Sequence, residues 1–165
     1  MICRRVAEGA PWRGARNVLL FAPLAGEPDI APLLPLALGT GIVAALPRFV
    51  PATNAYEAAI VTDPARDCVP GRYQTREPAP HCPVLPLNQL DLALVPGVAF
   101  DAVGRRIGRG KGYYDRLLAA VRGIKCGVAF DCQMIATIPD EPHDVRLNCL
   151  VTESRWLEFP PAPRF

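Results

Sequence analysis

The sequence predicts a three-layer α/β domain, a mainly parallel sheet flanked by helices, and three observations carry that expectation. Short apolar runs alternate with helical periods, the order expected of a sheet whose strands are joined by crossover helices. Leu92–Val95 is wholly apolar and closes on Pro96-Gly97, the pattern of a strand covered on both faces. At 165 residues, half of them hydrophobic and about a fifth charged, the chain has the size and composition of one globular domain.

Asn17–Ala22 is an apolar run ending at Pro23 and Gly26, a buried strand feeding a loop. Ile30–Leu38 is expected as a helix, with Asp29 as its N-cap, Pro32 and Pro35 near enough to the start to be tolerated, and Gly39 and Gly41 as its stop. Ile30–Pro47 is an uncharged stretch of 18 residues, long enough for a membrane span, but its prolines and glycines divide it into a helix and a strand. Strands are expected at Ile42–Leu46 and Ala58–Val61. Asp63–Gln89 shows no sustained period and is expected as a long loop with a short strand near Arg72–Thr75. Tyr113–Val121 brings Leu117, Leu118 and Val121 to one helical face before Gly123. Lys125–Ala129 and Asn148–Val151 complete the sheet. The expected organisation is an N-terminal segment over 1–16, the α/β domain over 17–155 and a tail over 156–165.

A formal net charge of +2 gives no general affinity for nucleic acids or membranes, so anion recognition must come from a local group of cations. A nucleic-acid module would need a broader basic face with interleaved aromatics. Six cysteines without a C-x-x-C pair, and only two histidines, argue against a zinc site and for free thiols in a reducing cytoplasm. Met1–Arg16 has no apolar core of the kind a secretory signal requires. Small-molecule substrates, no membrane partner and a monomeric state are expected.

One local group of cations stands out. Arg105, Arg106, Arg109 and Lys111 place four cations within seven residues, interleaved with Gly104, Gly108, Gly110 and Gly112. The stretch follows the Leu92–Val95 strand and runs into a helix, the place where open α/β sheets bind ligands, so it reads as a polyphosphate cradle. It is not a Walker A loop, because Arg105 and Gly112 occupy positions where that motif needs glycine and serine or threonine, and the G-x-G-x-x-G spacing also fails.

Val95-Pro96-Gly97-Val98-Ala99-Phe100-Asp101 followed by Arg106-Ile107-Gly108-Arg109-Gly110-Lys111-Gly112-Tyr113-Tyr114-Asp115 resembles the signature of the 5-formyltetrahydrofolate cyclo-ligase family. Pro23-Leu24-Ala25-Gly26-Glu27-Pro28-Asp29, Leu46-Pro47-Arg48, Glu77-Pro78, Ala129-Phe130 with Gln133, and Ile138-Pro139 with Glu141, His143 and Asp144 resemble further family segments, in order. The resemblance implies an ATP- and magnesium-dependent ring closure of 5-formyltetrahydrofolate to 5,10-methenyltetrahydrofolate. It implies that Arg106, Ile107, Gly108, Arg109, Gly110, Lys111, Gly112, Tyr113 and Tyr114 surround ATP, with Arg109 and Lys111 offsetting charge during phosphoryl transfer. Glu27, Arg109, Tyr113 and Tyr114 would contact the folate, and Asp115 and Asp144 would bind Mg2+. His143 reads as a hydrogen-bonding loop residue.

The chain departs from the family in three places. Family members begin with a helix whose lysine and arginine reach the nucleotide phosphates, whereas here sixteen residues precede the first strand and Gly9-Ala10-Pro11 interrupts them. Gly41-Ile42 replaces a G-K, and Tyr73-Gln74-Thr75 replaces the F-G-I that precedes E-P. The alternative reading is a diverged nucleotide- or folate-binding relative, weakly active or inactive, on the same fold.

Overall fold

The computed structural model describes residues 1–139, 141 and 144–160. In chain order the elements are α1 (Ile2–Glu8), α2 (Ala10–Gly14), β1 (Asn17–Leu19), α3 (Leu33–Gly39), β2 (Val43–Val50), β3 (Ala55–Ile60), α4 (Pro64–Asp67), β4 (Cys68–Pro70), β5 (Arg76–Pro78), β6 (Val84–Leu85), β7 (Leu92–Val95), β8 (Ala99–Phe100), β9 (Arg106–Ile107), α5 (Tyr113–Ala119), β10 (Ile124–Val128), β11 (Cys149–Val151) and β12 (Trp156–Glu158). Eight strands form one sheet in the order β12-β11-β10-β7-β1-β2-β3-β6. The five from β11 to β2 are parallel, and β12, β3 and β6 join antiparallel at the edges.

The apolar run of β7 explains the layers. Leu92 and Leu94 pack with Ile2, Val6 and Trp12 of the first two helices and Leu33 and Ala37 of α3, while Ala93 and Val95 pack with Leu117 and Leu118 of α5. Successive residues of a strand point to opposite faces, so a strand apolar throughout is covered twice. No described helix is long and apolar enough to cross a membrane.

Several boundaries differ from the expectation, each for a local reason. The helix expected from Ile30 begins at Leu33, with Pro32 rather than Asp29 as its N-cap. The Asp29 carboxylate instead accepts the Ala31 N–H at 2.9 Å, turning the chain into the helix. Pro35 stands among the first four residues, whose N–H groups have no intrahelical partner. Strand β2 runs on past Leu46 to Val50 because β3 continues to pair with it after β1 has left at Ala45. Pro47 falls in that half, where one side of the strand is open and its missing N–H removes nothing from the β1 ladder.

The strand expected near Arg72–Thr75 is a 3-10 turn at Arg72–Gln74, and the pairing lies on either side of it, between β4 and β5. The tail expected from 156 supplies the edge strand β12, which pairs with β11 through Val151 and Trp156. The N-terminal helices break at Gly9, as the sequence predicts, and dock on the sheet through Ile2, Val6 and Trp12.

Candidate active site

Where the loop after β1 diverges from its neighbours, a crevice opens at the carboxyl ends of β1, β2 and β7, the usual ligand position in an open α/β sheet. It is a cavity of about 480 Å³. Its walls are the loop carrying Glu27, Pro47 of β2, Tyr56 of β3, the Thr75–Glu77 segment, and the glycine-rich loop from Arg106 to Asp115.

The base of the glycine-rich loop is tied down by a buried carboxylate. Asp101 accepts the N–H groups of Val103 and Arg105 at 3.0 and 2.9 Å through one oxygen, and that of Ile138 at 3.1 Å through the other. Gln133 holds the Pro96-Gly97 turn by donating to the carbonyls of Gly97 and Val98 at 2.8 and 3.2 Å. A Cβ on Gly97 would come within 2.7 Å of the Phe100 ring and 2.9 Å of Arg106 Cγ, so only glycine lets the strand end and the loop pack together. Gly112 caps α5 with φ +61°, in the left-handed region that a side chain disfavours.

Arg106 is almost completely enclosed, its side chain 3 % exposed, and it donates to Asp115 Oδ1 at 2.9 Å. Its Nε is buried without a hydrogen-bond partner. The guanidinium therefore aims the Asp115 carboxylate at the cavity as well as charging the wall. The second oxygen of Asp115 has no hydrogen-bond partner among the described residues.

Glu27 is not the solvated loop residue that its P-x-x-x-E context suggests in isolation. Its side chain is 6 % exposed, with Oε2 accepting the Leu24 N–H at 2.9 Å and Oε1 accepting Arg109 Nη2 at 3.1 Å. That pair joins the two loops across the cavity. Tyr113 packs edge-on against Phe49 and Tyr56, with ring centroids 5.6 and 5.4 Å away, and its hydroxyl donates to Asn54 Oδ1 at 3.2 Å. Enclosure away from water, reinforced by the Glu27 carboxylate, holds the Tyr114 phenol well above its ordinary titration range, so it stays protonated.

Of the residues singled out by sequence, Glu27, Arg106, Gly108, Arg109, Lys111, Gly112, Tyr113, Tyr114 and Asp115 line one cavity. Ile107 and Gly110 do not line it: Ile107 is turned outward in the β8–β9 hairpin, with its carbonyl accepting the Val98 N–H. Asp144 is not among the residues that line the cavity; its Oδ2 accepts the Glu141 N–H at 3.0 Å. His143 lies outside the described residues. Arg4 pairs with Glu8, and Arg5 donates to the Glu153 carbonyl at 3.0 Å, so both are engaged away from the cavity.

Sequence reasoning assigned no role to Asp101, Gln133, Phe49 or Tyr56. The first two stand in quoted motifs, which was a usable signal; the aromatic pair gave none, because its meeting with Tyr113 depends on the β2–β3 register.

The sequence profile of the 5-formyltetrahydrofolate cyclo-ligase family matches residues 1–153. The 5-formyltetrahydrofolate cyclo-ligase of Escherichia coli K12 is 34% identical over 149 residues, covering 88% of this chain and 82% of that protein. The Mycolicibacterium smegmatis protein of the same name is 35% identical over 154 residues, covering 86% of this chain and 76% of its own. Among solved structures, the 5,10-methenyltetrahydrofolate synthetase of Aquifex aeolicus superimposes with a TM-score of 0.86 at 31% identity, covering 99% of this chain and 82% of that one.

Proposed function

The chain belongs to the 5-formyltetrahydrofolate cyclo-ligase family, and on that premise we propose that it uses ATP and magnesium to close 5-formyltetrahydrofolate to 5,10-methenyltetrahydrofolate, with release of ADP and phosphate. A formamide carbon is a poor electrophile. Transfer of the γ-phosphoryl group to the formyl oxygen breaks the β–γ bridge and gives an N5 iminium phosphate plus ADP. The N10 amine then attacks that carbon, loses its proton, and phosphate leaves with the C–O bond electrons.

The observation that carries this reading is the Glu27–Arg109 pair, which joins a phosphate-type loop and a buried carboxylate in one cavity. In this reading Arg109 and Lys111 offset the charge that builds on the transferring phosphoryl group. Glu27 keeps acceptor capacity for pterin N–H groups beyond its two protein donors. Tyr113 and Tyr114 supply flat walls, and the Tyr114 hydroxyl, held protonated, can donate as well as accept.

The fit to magnesium rests on Asp115, whose unpartnered oxygen is a hard ligand on the cavity wall. A bound magnesium ion would neutralise phosphate oxygens and orient the triphosphate. Asp144 is assigned as a second ligand by resemblance. Purified protein given ATP, magnesium and 5-formyltetrahydrofolate is expected to form the methenyl product, seen by its conjugated absorbance, with one ADP per turnover. Folded protein that yields neither signal overturns the reading.

A further inference from the structure

Asp101 is fully buried and does not line the cavity. One of its oxygens accepts the Val103 and Arg105 N–H groups, the other accepts the Ile138 N–H, and Arg105 Nη1 stands 3.6 Å from that second oxygen. Three backbone donors and a guanidinium leave this carboxylate no place for a ligand. Its part lies in what it joins.

On one side Asp101 opens the turn of the β8–β9 hairpin. Its own N–H donates to the Arg105 carbonyl at 3.1 Å, so side chain and backbone close the turn together. Strand β9 starts at the next residue, Arg106, whose guanidinium aims Asp115 at the cavity. A shift of the turn is therefore passed to Arg106 and the glycine loop with no residue between to absorb it. On the other side, Ile138 is 37 positions away in sequence. The chain returns to the same turn at Leu147, whose N–H donates to the Gly104 carbonyl at 2.9 Å.

Resting on the cyclisation reading, in which the glycine loop holds the ATP phosphates, we infer that Asp101 is a positioning residue for the nucleotide. It locks the hairpin turn and the chain at Ile138 and Leu147 into one unit, and so sets where Arg106 and the glycine loop meet the phosphates. A charged acceptor suits this role because it strengthens each N–H bond it takes, in a place where water cannot replace one. The loop that carries Glu27 is built separately, through the Leu24 N–H, so the effect belongs to the nucleotide and not to the folate.

The test compares wild type, Asp101→Asn and Asp67→Asn. Asp101→Asn keeps one oxygen for the Val103 and Arg105 N–H groups but turns an NH2 toward the Ile138 N–H, which loses its acceptor. It is expected to raise KM for ATP about tenfold and to change KM for 5-formyltetrahydrofolate less than about twofold. Asp67→Asn removes an equally buried carboxylate away from the cavity and should leave both KM values at wild type. By NMR, the Ile138 and Leu147 amides of Asp101→Asn should exchange about tenfold faster than in wild type, a larger change than at Leu94 of β7, which reports global opening. In wild type with magnesium chelated, so that no metal carries the effect, ADP should slow exchange at Val103, Arg105, Ile138 and Leu147 together. Asp101→Asn that alters neither KM, or both equally, overturns the inference. If Asp101→Asn does not fold, or wild type turns over no substrate, the ADP measurement decides: joint slowing at the four amides sustains the inference, and slowing confined to Val103 and Arg105, or no response, overturns it. The cyclisation reading is judged separately, by whether wild type forms the methenyl product.

Discussion

Asp67 and Glu27 are both buried carboxylates, with side chains 3 % and 6 % exposed, and each is bonded to an arginine that is itself more than half exposed. Asp67 is filled from its own neighbourhood: it accepts from the Thr62 N–H and hydroxyl, the Asp63 N–H, two nitrogens of Arg66, and pairs with the His81 ring at 3.1 Å. Two carboxylate oxygens offer about four lone-pair places, so nothing remains for a ligand. Asp67, His81 and Cys82 do bring three potential metal-ligand atoms within 4.8 Å of one another, but Arg66 already stands where a cation would. Among the described residues Glu27 accepts from only two donors, one of them 82 positions away, and it lies on a cavity wall. The saturated carboxylate builds a turn, while the half-filled one joins two loops and keeps capacity for something else.

The strongest way to break that contrast is to remove the cations on the Glu27 side. Lys111→Ala and Arg109→Ala are expected to cut the turnover rate a hundredfold or more, about 2–4 kcal/mol of transition-state stabilisation. Their melting temperatures should stay within about 2 °C of wild type, because both side chains leave an exposed loop rather than a packed core. A variant with wild-type kinetics would show that the phosphate loop is misassigned.

Glu27→Gln is a milder cut. It keeps an oxygen for the Leu24 N–H but removes the charge that faces Arg109 and, in the proposed reading, the pterin. We expect a fall of about tenfold in kcat/KM, roughly 1.4 kcal/mol, with little change in melting temperature. Loss of stability without loss of activity would make Glu27 a second Asp67.

The same contrast explains what could be read in advance. Strand β7 and the start of α5 were legible because each is a local pattern, an apolar run closed by Pro-Gly and a helical period after Gly112. The glycine loop was legible because its chemistry is contiguous. Residues 63–89 were not, since their order comes from side chains reaching distant backbone: Glu77 to Phe49, 28 positions back, and Arg48 to the carbonyls of Ala79 and Cys82, 31 and 34 positions on. No periodicity announces such bonds. For the same reason nothing local marks Thr75–Glu77 as cavity wall, and loop position alone does not separate Ile107 from its neighbours, although the β8–β9 pairing turns it away.

The smallest expected effect is a pH dependence on the saturated side, and its sign follows from the contacts. The Arg66 guanidinium first, then the Asp63 N–H, His81 and Thr62, hold the Asp67 carboxyl far below the usual carboxylate range. Asp67→Asn should therefore lower the melting temperature at neutral pH, by roughly 4 °C for a domain of this size, while leaving kcat close to wild type. A depressed folded-state pKa means that the unfolded chain binds the proton more readily, so the contribution is complete above the unfolded value of about 3.9. It declines only as pH falls below that value toward the folded one. The gap between wild type and Asp67→Asn should accordingly stay constant from pH 7 to about 4.5 and narrow from pH 4 downward. Thermal melts of both proteins across that range measure it, and a gap that already closes between pH 6 and 5 would mean that the Arg66 pair and the backbone donors do not hold the Asp67 carboxyl low.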